Sequence, residues 1–164
     1  ISEVLMDSLP RAMDKGLDLG YDGVEGEDKR RFLNIQGNPT LLKEMIRNLV
    51  DNAIHYTPSY EERPGVITVR LLVDPYSQAV AVQVEDNGPG IAAAERERIF
   101  EPFYRALGSN VDGSGLGLPI VREIAQRHGA TVSVDVAHPG QASPGACFTI
   151  RFARAGNQFK TRIN

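Results

Sequence analysis

The chain has 164 residues, enough for one domain with a sizeable core, and its 41% hydrophobic and 24% charged residues are the balance of a globular protein. Its 21 acids against 18 bases leave a net charge of -3, which argues against nucleic acid or an anionic membrane surface as main partner. A single cysteine, Cys147, excludes an internal disulfide framework, and its place in a strand-like run marks it as a buried structural thiol.

No run approaches the roughly 18 apolar residues of a membrane-spanning helix. The sequence opens at Ile1 inside a helical pattern, without a secretory signal, and the expectation is a piece cut from a longer protein. That first helix, residues 1–15, carries Val4, Leu5, Leu9 and Met13 at helical spacing and stops at Gly16. Residues 17–21 form a short strand candidate, 23–31 a charged loop, and 32–35 a second short strand. Asn38-Pro39 then starts a long helix, Asn as N-cap and Pro in the first turn. Its apolar residues from Leu41 to Ile54 cover a broad face, edged by a polar stripe of Glu44, Asn48, Asn52 and His55. Thr57-Pro58 ends it.

Residues 66–73 and 79–85 read as strands joined by a turn at Asp74-Pro-Tyr-Ser, with Val80, Val82 and Val84 alternating in the second. Residues 95–100 suggest a short helix. Residues 101–114 lack periodicity and form a loop long enough to be a lid. A helix over 118–128, with Pro119 in its first turn, precedes strands at 131–137 and 146–152. Three long helices and mostly antiparallel strands predict an α+β two-layer sandwich with the helices on one sheet face.

Three clusters carry chemistry. Asn48 and Asn52, four apart, project to the same side of their helix, and neutral oxygen ligands suit Mg²⁺; as an isolated pair they read better as two solvated boundary amides, and the later motifs reverse that order. Asp86 follows a strand and precedes Gly88 and Gly90, where a carboxylate can accept hydrogen bonds from an adenine amino group, or simply close its own turn. Gly113, Gly115 and Gly117 lead into a helix whose N-terminus offers free N–H donors to a phosphate, although a plain hinge would read the same way. This is neither a Walker loop, since no Lys-Ser/Thr follows, nor a dinucleotide fingerprint, since a loop precedes it. Phe100, Phe103 and Tyr104 cluster beside the loop and by default anchor it to the core. His128, in the last turn of its helix, suits a cationic cap. Together and in this order, the three clusters point to ATP.

With these residues in view, residues 1 to 153 resemble the ATP-binding catalytic domain of bacterial two-component sensor histidine kinases, within the GHKL ATPase superfamily. Asn48-Leu-Val-Asp-Asn52-Ala-Ile-His-Tyr-Thr is similar to the family's N box. Val84-Glu-Asp86-Asn-Gly88-Pro-Gly90-Ile91 is similar to the G1 box, Ile99-Phe100-Glu-Pro-Phe103-Tyr-Arg105 to the F box, and Gly113-Ser-Gly115-Leu116-Gly117-Leu118-Pro-Ile-Val to the G2 box.

The resemblance implies the Bergerat fold, a mixed, mostly antiparallel sheet with three main helices on one face and ATP held between the N-box helix and the loop. It implies Asn48 and Asn52 as the catalytic pair, with Asn52 a ligand of Mg²⁺ and Asn48 at the same cation or its waters. Asp86 would read the adenine amino group and Tyr56 lie near the base or ribose. Arg105 would contact phosphate, and Gly115 and Gly117 shape the phosphate end. Gly88, Gly90, Ile91, Phe100, Gly113, Leu116 and Leu118 are further nucleotide-binding positions by the same carry-over. His55 stands where the family often has Lys.

The implied activity is donation of the γ-phosphoryl group to a histidine on a separate dimerisation and phosphoacceptor domain, of the same or the partner chain, serving a response regulator receiver domain indirectly. The implied place is a cytoplasmic domain of a protein anchored in the bacterial inner membrane. No nucleic-acid partner is expected, and residues 154–164 are expected to be a flexible tail. Hydrolytic ATPases on this fold place Glu where this chain has Asn48. An amide cannot act as a general base, so the hydrolase stands below the kinase as an alternative, beside a nucleotide-binding module without turnover.

Overall fold

The structure, a computed structural model, describes residues 1–24, 33, 35–74, 76, 79–104 and 115–153. Two of the four residues of the strand expected over 32–35, the loop positions 105–114 with Arg105 and Gly113, and the tail from 154 lie outside these residues, and the described positions 33 and 35 are not in a strand. In chain order the elements are α1 (Ser2–Asp14), β1 (Leu17–Asp22), α2 (Pro39–Tyr56), β2 (Gly65–Val73), β3 (Val80–Asp86), α3 (Gly117–Arg127), β4 (Ala130–Val136) and β5 (Ala146–Phe152). The short helix expected over 95–100 is instead two 3-10 turns, Ala93–Glu95 and Arg98–Phe100. Among the described residues no helix is long and apolar enough to cross a membrane.

The five strands form one sheet in the order β1-β2-β3-β5-β4. β1 pairs with β2 in parallel, and the other three pairings are antiparallel. This is the α+β sandwich with a mixed, mostly antiparallel sheet. Strand alternation sorts its two faces. Val69, Val84, Phe148 and Val134 stand in register across four strands and are buried, while Thr68, Arg70, Gln83, Glu85 and Thr149 carry the polar face. Cys147 lies half-buried on that polar face, more open than its run suggested. Burial still pushes its thiol above the usual range, which suits a packing role and opposes a nucleophile. The helices close the core with Met45, Leu49, Val50, Val121 and Ala125, all essentially inaccessible.

Asn38 caps α2 as its sequence predicts, its side chain accepting from the N–H groups of Thr40 (2.9 Å) and Leu41 (3.1 Å). α1 is less regular than its apolar spacing implies. It buries Val4, Ser8 and Ala12 at a four-residue repeat, packs Ile1 and Leu5 partly against the core, and leaves Met6, Leu9 and Met13 exposed. The two helices are parallel and joined by three ion pairs at one constant offset: Glu3 with Lys43, Asp7 with Arg47 and Arg11 with Asp51. Exposed pairs of this kind add little stability, and their constant offset matches the parallel register of the two helices.

His128 caps the end of α3, as its place in the last turn predicts, and also bridges two helices. Its Nδ1–H donates to the Ile124 carbonyl (2.7 Å), and its Nε2 accepts the Asn38 N–H (3.1 Å). A backbone N–H can only donate, so Nε2 is the acceptor and Nδ1 carries the hydrogen. The end of α3 is thereby tied to the start of α2.

Candidate functional site

Four segments converge at one end of the sandwich: the middle and end of α2, the bend after β3, the β4–β5 connection and the first turn of α3. Their closeness is measured by glycines. A Cβ on Gly88 would stand 3.3 Å from the Tyr56 carbonyl oxygen, one on Gly90 2.8 Å from the Gly145 oxygen, and one on Gly117 3.2 Å from Asn48 Oδ1.

Asp86 ends β3 and is 8% exposed. Its Oδ1 accepts the N–H groups of Gly88 (2.8 Å) and Ala146 (3.3 Å). Among the described residues no donor is recorded to Oδ2, so a held carboxylate keeps one acceptor for a ligand. Burial pushes the carboxyl above the usual range, against the two N–H donors that pull it down.

The Ala146 donor is the first residue of β5, as the expected strand over 146–152 has it. Gly145 brings it in. Its φ is +66°, and a Cβ there would lie 1.9 Å from the Asp86 carbonyl oxygen, so no side chain fits. Gly145 N–H also donates to the Gly88 carbonyl at 3.0 Å. The only local signal was the Pro144-Gly145 pair before a strand, which reads as an ordinary turn. Asn87 has a structural role in the same bend: its side chain accepts the Val66 N–H and donates to the Pro64 carbonyl, pinning the bend to the start of β2.

On α2, Asn48 and Asn52 are both half-buried along one edge. Asn48 Nδ2 donates to the Glu44 carbonyl (2.9 Å) and to Glu44 Oε1 (3.1 Å), and its Oδ1 lies toward the first turn of α3. Among the described residues no side chain caps that turn, whose N-cap is Leu116. An uncapped helix start and an amide oxygen therefore face the same space, a donor set that fits an anion and its counter-cation. Tyr56 is 36% exposed at the end of α2, with the half-buried His55 ring edge-on to it (centroids 5.1 Å apart). A cleft of about 330 Å³ beside Glu44 is lined by Leu41, Pro119, Ile120 and Ile124 and includes none of Asn48, Asn52 and Asp86.

The three aromatics beside the loop part company. Phe100 is buried edge-on to Phe148, with the Arg122 guanidinium 4.2 Å over its ring. Tyr104 is half-buried, its hydroxyl donating to Glu95 and Arg98 stacked on its ring. Phe103, expected to anchor, is 74% exposed at φ +63°, its N–H donating to the Gly115 carbonyl at 3.0 Å. That φ is sterically strained for any residue with a Cβ, and the Gly115 bond helps to hold it. Ile91 and Leu118 are half-buried against the core.

This fold, with a carboxylate on a glycine bend, paired asparagines and a helix start without a side-chain cap among the described residues, is of the kind a nucleotide-binding ATPase has. A family model described as histidine kinase-, DNA gyrase B-, and HSP90-like ATPase matches residues 37–156. The chain belongs to this family, among the catalytic domains of sensor histidine kinases. It is 47% identical over 104 residues to the sensor protein QseC of Salmonella typhi, a match covering 63% of this chain and 21% of that one. Among solved structures, the mycobacterial sensor histidine kinase MprB is similar with a TM-score of 0.73 at 30% identity, over 93% of each chain. Histidine kinase ThkA, in complex with response regulator protein TrrA, is similar with a TM-score of 0.68 at 25% identity, over 93% of this chain and 39% of that one. The chain spans between 21% and 27% of the length of the curated relatives it matches.

Proposed function

We infer that this domain binds ATP with Mg²⁺ and donates the γ-phosphoryl group to a histidine on a separate dimerisation and phosphoacceptor domain, within a two-component pathway. The observation that carries the reading is the convergence of Asp86, the Asn48/Asn52 edge and the uncapped start of α3. Asp86 Oδ2 accepts the adenine amino group while Oδ1 stays tied to Gly88 and Ala146. Tyr56 and Ile91 flank the base side, and His55 stands near the sugar or phosphates. The first turn of α3, at Gly117 and Leu118, meets phosphate oxygens with backbone N–H groups. Asn48 and Asn52 supply amide oxygens to Mg²⁺ or its waters, and the cation neutralises charge on the phosphates as phosphoryl transfer requires. An imidazole nitrogen of the acceptor domain attacks the γ-phosphorus; that N–P bond forms as the bond to the β–γ bridging oxygen breaks, leaving ADP.

Amides at both positions favour transfer over hydrolysis, because neither can take a proton from water. The response regulator bound to ThkA supports a receiver domain as the downstream partner. The sensor names of the relatives support a cytoplasmic domain of a membrane-anchored parent. Mixing the chain with a phosphoacceptor domain and γ-labelled ATP tests the reading. The label is expected on that domain as an acid-labile, base-stable phosphohistidine. Free labelled phosphate at the same rate with or without acceptor would make the domain a hydrolase instead.

Acid pH should separate folding from binding. The Asp86 carboxyl titrates above its unfolded value in the fold, so its contribution to stability is full below the unfolded carboxylate range and lost as pH rises through the raised value. Binding needs the ionised acceptor and runs the other way: full above the raised value, falling as pH drops through it. Affinity for adenosine, which carries no phosphate, is expected to decline at a higher pH than an ordinary aspartate would give, before the apo melting temperature reports any loss from this group. Calorimetric titration of adenosine beside thermal melts checks both. A flat adenosine affinity through the carboxylate range would disconnect Asp86 from the base.

A further inference from the structure

Asn48 offers a second level of control over the phosphate end of the site. Its amide has one oxygen and one NH₂ of nearly equal size, so either could face the start of α3. A metal-side ligand must present the oxygen. Two neighbours on the same helix decide which atom turns inward: the Glu44 carbonyl, 2.9 Å from Nδ2, and Glu44 Oε1, 3.1 Å from it. A carbonyl and a carboxylate only accept, so the group facing them is the NH₂, and both of its hydrogens are engaged. Oδ1 is left toward Gly117, 3.2 Å from where a Cβ there would stand. The carbonyl belongs to every residue at this position; the second acceptor is particular to Glu44. Glu44 is exposed and makes no contribution to the buried core, so its placement has no packing explanation.

We propose that Glu44 is a positioning residue for the cation and phosphate end of the site, locking the Asn48 amide with its oxygen toward the start of α3. The role rests on the reading of Asn48 as a cation-side ligand. With Glu44 gone, one hydrogen bond remains and the flipped amide, which would aim hydrogens at a cation, becomes competitive.

The test is nucleotide affinity of the full chain, measured by calorimetry with Mg²⁺ and again with EDTA, for five variants. Glu44→Ala should weaken Mg²⁺-dependent ATP binding by about 3- to 10-fold, the effect of one lost hydrogen bond. Glu44→Lys, which sets donors against the amide hydrogens, should weaken it further. Glu44→Gln keeps an acceptor without the charge and should stay within about 2-fold of the parent. EDTA affinities should match across the set, which a general loss of structure would not allow. Asn48→Ala should lose the Mg²⁺-dependent part, and adding Glu44→Ala to it should change nothing more. A parent without Mg²⁺-dependent binding would overturn the reading of Asn48 and the lock together. Mg²⁺ dependence lost in Asn48→Ala yet unchanged in Glu44→Ala would overturn the lock alone, and a Gln variant as weak as Ala would replace it with a purely electrostatic effect of the carboxylate.

Discussion

Replacing Asp86 by Asn is expected to weaken adenine-nucleotide binding by about 10- to 150-fold while the domain stays folded. The substitution is close to isosteric, so the buried position can be refilled without a cavity. Gly88 and Ala146 donate to Oδ1 and will keep an oxygen on that side. The new NH₂ must then occupy the Oδ2 position and meet the adenine amino group, donor against donor. Losing a charged acceptor in a desolvated site, with an unpaired donor left behind, costs about 1.5–3 kcal/mol, which is the quoted range of affinity. Stability should not fall, because burial already disfavours the ionised carboxylate that the substitution removes. GTP, which presents a carbonyl where adenine presents an amine, should bind the parent poorly, and the Asn variant should narrow that preference. Calorimetric titration of both nucleotides into parent and variant, with circular dichroism to verify the fold, is the measurement. Equal ATP affinities in two folded proteins would take Asp86 out of the base site.

Asn52→Ala should remove phosphoryl transfer almost entirely, by on the order of 100-fold or more, with a smaller effect on nucleotide binding itself. Asn52 lies one turn beyond Asn48 on the same edge of α2, half-buried and without a recorded side-chain partner among the described residues. Mg²⁺ commonly takes few protein ligands, so deleting one displaces the cation relative to the phosphates, and small misplacements of reacting groups are costly in rate. The loss should therefore fall on transfer to an added acceptor domain and on the Mg²⁺-dependent share of affinity, leaving the EDTA affinity alone. Transfer at the parental rate would mean that the cation is held by other groups.

The parts of this domain legible from the chain alone are those fixed by neighbours within one helical turn or one strand repeat. Asn38-Pro39 announced the start of α2 because a cap acts on N–H groups two and three residues away. The alternation of Val80, Val82 and Val84 announced β3, and the four-residue spacing of Asn48 and Asn52 put them on one edge. Short-range chemistry also misled where packing had the final word. α1 buried Val4, Ser8 and Ala12 and left Leu9 and Met13 outside, and Phe103 was left exposed where three nearby aromatics looked like a single anchor. Other features were invisible in any local window because they join distant residues. The Asp86 carboxylate takes its second donor from Ala146, 60 residues on; His128 reaches back 90 residues to Asn38; and each rung between α1 and α2 spans 40. Such contacts depend on how the sheet order β1-β2-β3-β5-β4 brings chain ends together, and many sequences with the same local periodicities would pair differently. Local pattern therefore put Asn48 and Asn52 on one helix edge and Asp86 at a strand end, and long-range packing set the geometry in which Asp86 and Asn48 present their oxygens.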